Sequence, residues 1–136
     1  MSTDRRSTYG FGTKTSLSYR EALDQVKALL KDQGFGILTE IDVQQTMKEK
    51  RGVDFPPYTI LGACNPALAE QALRAEPGIG LLLPCNVVVY EEDGGVVVEA
   101  MDPETALGIV GNPAIRPIAL EAKARLQAAI EKLPGA

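Results

Sequence analysis

Two doublets, Cys64-Asn65 and Cys85-Asn86, carry the most suggestive chemistry in this sequence. Each sets a thiol, able to serve as nucleophile, redox centre or soft metal ligand, beside a carboxamide able to hydrogen-bond a ligand. Asn65 is followed by Pro66, the pattern of an Asx cap with proline at the first helical position, so Cys64 is expected just outside a helix N-terminus. The positive end of a helix lowers a thiol pKa and attracts anions. A plainer alternative stands beside this one and is favoured. Asn65 then only caps its helix, Cys64 and Cys85 are small buried hydrophobes, and Asn86 bonds backbone next to Pro84.

Glu40 and Asp42 lie two apart on an expected strand and so project from one face, where Lys14 could meet them. A carboxylate pair near a lysine is an acid–base constellation, but it is more often a solvated ion pair, and Asp42 is also placed to cap the next helix. The chain has no histidine, which excludes a Ser-His-Asp set, and two thiols fall short of the four ligands a structural zinc site needs. No glycine-rich phosphate loop is present. The reading therefore assigns no catalytic residue, no metal ligand and no cofactor, and leans away from an enzyme.

The elements that would hold these residues follow from hydrophobic period and capping signals. Tyr9 to Leu17 alternates as a half-buried strand, and Ser18-Tyr19-Arg20-Glu21 is a capping box opening a helix whose Ala22, Leu23, Val26, Leu29 and Leu30 share one face, with Gly34 ending it. Phe35 to Val43 reads as a second strand with Ile37, Thr39, Ile41 and Val43 on one side, and Gln44 to Arg51 as two helical turns. Tyr58 to Ala63 makes a third strand and Asn65-Pro66 a helix stopping near Glu76-Pro77-Gly78. Ile79 to Tyr90 and Val96 to Met101 read as a hairpin joined through Asp93-Gly94-Gly95. A short helix around residues 104 to 109 precedes a long Ala-rich C-terminal helix. Residues 1 to 7 lack periodicity and are expected to be a disordered tail to one domain spanning 8 to 136.

The strings Gly34-Phe35-Gly36, Thr39-Glu40-Ile41-Asp42, Leu61-Gly62-Ala63-Cys64-Asn65-Pro66 and Gly80-Leu81-Leu82-Leu83-Pro84-Cys85-Asn86-Val87, in this element order, resemble the Domain of Unknown Function 302 family. The resemblance implies a mixed, mostly antiparallel sheet backed by helices, comparable to the TATA-binding-protein-like group, and a frequent dimer. It implies no reaction. With it, the expected fold is α+β, a sheet of about five strands and about four helices in two layers.

Composition limits the partners. The chain has 136 residues, 45% apolar and 24% charged, which suits one globular domain. A net charge of -4, no Trp and 5% aromatics argue against nucleic acid. The polar start without a secretory signal, and the absence of a long apolar run, point to a soluble cytoplasmic protein with no membrane partner. Val87-Val88-Val89 and Val96-Val97-Val98 put apolar groups on both faces of their strands, so a homodimer through strands around 81–90 and 96–101 is expected to cover the outward set. The favoured function is a homodimeric small-ligand-binding module with its pocket at the Cys64-Asn65 helix start, and Cys85, Asn86, Glu40 and Tyr58 as further candidate contacts. The alternatives are a thiol-based redox or metal-dependent activity at Cys64, and a purely structural oligomer.

Overall fold

The computed structural model describes residues 5–136. Its strands are β1 (Arg5–Arg6), β2 (Gly10–Thr15), β3 (Gly36–Asp42), β4 (Tyr58–Cys64), β5 (Cys85–Glu92) and β6 (Gly95–Met101). They form a 6-stranded sheet in the order β1-β2-β6-β5-β4-β3, antiparallel at every step. Helices α1 (Tyr19–Asp32), α2 (Val43–Arg51), α3 (Pro66–Ala75), α4 (Pro103–Gly108) and α5 (Ile115–Glu131), with a 3-10 helix at Pro77–Leu82, complete an α+β fold. None of these helices is long and apolar enough to cross a membrane.

Local chemistry accounts for the helices. Ser18 accepts from the Glu21 amide while the Glu21 carboxylate accepts from the Ser18 amide, a reciprocal cap that starts α1. Asp42, Asn65 and Asp102 cap α2, α3 and α4 in turn through their side-chain oxygens. The apolar stripes of α1 and α5 lie on β2, β5 and β6, and Leu23, Val26, Leu30, Leu126 and Ile130 are sealed there with Phe11, Leu61, Val87, Val89 and Val98. Each such side chain contributes about 1.5–3 kcal/mol by leaving water.

Three expectations need correction. The sheet gains a strand because Arg5 and Arg6 pair with Gly12 and Phe11, so order begins before residue 8; residues 1–4 of the expected tail lie outside those described. The stretch from Ile79 to Tyr90 is not one strand. Pro77, Gly78 and Gly80 favour a tight helical turn over strand pairing, and the strand begins only after Pro84, which has no amide to give to a ladder. The sheet is wholly antiparallel, since every crossover returns the chain alongside a neighbour running the other way.

Hydrophobic patterning of the sequence predicts a core of Leu23, Val26, Leu30, Ile37, Ile41, Ile60, Leu83, Val87, Val98, Leu126 and Ile130; most of these are buried, whereas Ile41 is 46% exposed and Ile37, Ile60 and Leu83 are half-buried. A β-bulge between Ile37 and Thr39 explains part of this. Ile37 stands opposite Ala63, which faces the helices, but beyond the bulge Ile41 stands opposite Ile60 on the other side of the sheet. The extra residue reverses which face each following side chain takes.

Candidate functional site

Strand β4 ends at Cys64 where α3 begins, and β5 begins at Cys85 beside it, with Ala63 and Cys85 as ladder partners. The space between this corner of the sheet and α3, α5 and the 3-10 helix is an apolar cavity of about 290 Å3. Its size follows from small side chains facing one another: Ala63 from the sheet, Ala69 and Ala72 from α3, and Ala122 from α5. Larger apolar groups, among them Phe35, Leu68, Leu83 and Ile118, close the sides. Cys64, Asn65 and Cys85 are its polar or polarisable contacts, so three sequence candidates do meet at one cavity. Leu38 and Leu73, both exposed, stand at its margin.

The electrostatics at this cavity disfavour an activated thiol. Burial pushes the Cys64 thiol above its ordinary value, and burial followed by the nearby Cys64 pushes Cys85 up to about 11. At Cys64 the cause is burial, because loss of water favours the neutral thiol. Asn65 spends its side-chain oxygen on the Leu68 amide at 3.2 Å, the cap that the sequence indicated. Among the described residues no three Cys, Asp, Glu or His side chains gather as a metal site would require.

The remaining candidates lie elsewhere. Side chains alternate along a strand, so Asn86 leaves the face that Cys85 enters and stands opposite Gly62 on the helix-free side. Tyr58 occupies the far end of β4, stacked on Tyr90 with centroids 5.0 Å apart. Glu40 pairs with Lys27 of α1 at 2.6 Å, and Asp42 caps α2. Lys14 is on β2, three strands removed from β3, so the acid–base trio does not assemble.

A second concavity lies on the helix-free face. This open trough of about 790 Å3 runs between the turn after β1, with Ser7 and Tyr9, and the Tyr58–Tyr90 pair, over Asn86, Val88, Glu99 and Met101. At its centre Arg5 Nε donates to Glu99 at 3.4 Å and Arg5 Nη2 to Glu92 at 3.2 Å, while the Tyr90 hydroxyl donates to Glu99 at 2.8 Å. Burial and then the Glu99 carboxylate push the Tyr90 phenol up to about 12, keeping it a donor. Arg5, Gly12 and Glu99 share one row across the sheet, and the Glu99 Cγ lies 2.7 Å from where a Cβ on Gly12 would stand. Glycine at residue 12 is thus the gap through which Glu99 reaches Arg5. Sequence reasoning missed this cluster, since Arg5 and Glu99 are 94 residues apart and no local pattern marks either.

The comparisons with known proteins bear on the whole domain. The family model "Domain of unknown function DUF302" matches residues 11–133. The chain belongs to the DUF302 family. An uncharacterised protein of Aquifex aeolicus (strain VF5) is 27% identical over 123 residues, covering 88% of this chain and 79% of that one. The crystal structure of an uncharacterised conserved DUF302 protein from Bacillus stearothermophilus superposes with a TM-score of 0.87 at 31% identity, covering 93% of this chain and 99% of that chain. Membership in DUF302 fixes the fold and carries no reaction with it.

Proposed function

We propose that this DUF302 domain is a small-ligand-binding module whose ligand is a neutral, largely apolar molecule held in the cavity beside Cys64, Asn65 and Cys85. The observation that carries the reading is the cavity itself, about 290 Å3 and lined almost wholly by carbon. A dry engineered cavity of about 150 Å3 accepts benzene, so this one suits a bicyclic ring or a chain of roughly eight to ten carbons. The thiols serve as polarisable wall, which agrees with their raised pKa values. Thermal-shift titration with 1-octanol and with indole tests this. Saturation near a hundred times Kd raises stability by about 2.7 kcal/mol, and Ala72→Leu, which fills the space from α3, removes the response. A flat melting temperature across both probes in the unaltered protein would overturn the reading.

A homodimer is the second reading, favoured by the face that carries Ile60, Val88 and Met101, the side of the sheet opposite to that on which α1 and α5 pack. Pairing edge to edge through β5 and β6 is not available to it, because both strands already have neighbours on each side. The outward patch is also smaller than the valine runs implied. Val87, Val89, Val96 and Val98 face the helices, and Val97 is buried between its ladder neighbours Lys14 and Tyr90. The thiol-centred alternative has the raised Cys64 and Cys85 pKa values against it.

A further inference from the structure

We infer that the trough on the helix-free face is a second binding site, one that takes a zwitterion, specifically a free α-amino acid with an apolar side chain. The trough presents two opposite charges side by side, the Arg5 guanidinium and the Glu99 carboxylate, at a contact of 3.4 Å, long for a charge-assisted hydrogen bond. Glu92, the outer partner of the same guanidinium, takes Nη2 and leaves the Arg5–Glu99 contact to Nε. Both poles keep bonding capacity. Among the described residues Arg5 gives two of a guanidinium's five N–H groups, from Nε and Nη2, to the glutamates. Glu99 accepts one bond from Arg5 and one from Tyr90, about half of what a carboxylate can accept.

An α-amino acid carries its ammonium and carboxylate on one carbon, and its dipole laid antiparallel to the Arg5–Glu99 pair satisfies both remaining capacities at once. The ammonium meets Glu99 and the carboxylate meets Arg5, with the Asn86 amide within the same trough. The side chain then rests on Val88, Met101 and the Tyr58 ring. Such a ligand is far smaller than about 790 Å3, so it binds with water in the rest of the trough.

The test is a titration of isotopically labelled protein with L-phenylalanine, 3-phenylpropionate and phenethylamine, read by amide chemical shifts. Phenylalanine is expected to move the amides of residues 5–10, 86–90 and 99–101, and each analogue lacking one charge to bind at least about ten-fold more weakly, or 1.4 kcal/mol. Glu99→Gln keeps an acceptor for Tyr90 but removes the charge. It is expected to weaken phenylalanine about ten-fold while leaving 3-phenylpropionate unchanged or tighter, a crossing that mere loss of structure cannot give. Tyr58→Leu, which leaves the β1 clamp intact, should weaken all three. Equal binding of the three probes, shifts confined to the Cys64 cavity, or no shift at all would overturn the proposal. So would trough amides that move with protein concentration alone, since a second copy would then occupy the face.

Discussion

At Cys85 the sign of the titration is fixed by burial. Its thiol is held up to about 11 in the folded protein against about 8.5 for a free cysteine, so the neutral form is the one the fold favours. The associated stability is fully present below about pH 8.5 and is lost as pH rises through about 11. Alkylation of the native protein at pH 8 should therefore run slower at both cysteines than in an unfolded peptide, and Cys85 should quicken only above about pH 10. A Cys64 that reacts faster than the peptide would return the thiol-centred alternative to first place. Asn65 has a separate, structural role. Asn65→Ala removes the cap on the Leu68 amide and should cost about 1 kcal/mol in urea denaturation, and Asn65→Asp should restore most of it. These two residues were legible in the sequence because their signals are local: an Asx-Pro helix start, and a cysteine among apolar neighbours. Asn86 was misassigned to the same site because alternation along β5 turns it to the opposite face from Cys85.

Among the elements, β1 is the least secured, a two-residue strand held by its pairing with β2 and by Arg5 bridging Glu92 and Glu99. Gly12 makes that bridge feasible, since an added Cβ would stand 2.1 Å from the Val98 carbonyl oxygen and 2.7 Å from the Glu99 Cγ. Gly12→Ala should destabilise the protein by roughly 1–3 kcal/mol and speed amide exchange at the β1–β2 pairing far more than in α1. Equal protection in both variants would show that β1 does not depend on the Arg5–Glu99 contact. Helix α1 poses the contrary case. Its capping box, its stripe and its buried residues were all legible, because a helix declares itself through contacts within four residues.

For the whole molecule, the open question of assembly has a direct measurement. Sedimentation at tens of micromolar should resolve a 14.5 kDa species from its dimer, and a dimer dispersed by Val88→Lys on the helix-free face would establish that face as the interface. A lone 14.5 kDa species would instead leave the trough open to solvent and free for a small ligand.

The sequence by itself determined the α+β class, the helical segments with the capping side chains of α1 to α4, the hairpin at Asp93-Gly94, and the family to which the chain belongs. Those features depend on residue spacing over one or two turns, or on strings that survive as strings. What only the tertiary structure decided is which candidates share a site. The strand order sends Lys14 to the far side from Glu40, the bulge after Ile37 reverses the face of Ile41, and the alternation of β5 splits Cys85 from Asn86. It also unites Arg5 with Glu99 across the glycine gap, and gathers alanines from β4, α3 and α5 into one cavity. Strand pairing is non-local and a single inserted residue inverts every side chain beyond it, so period and composition fix the elements while register alone assigns their faces.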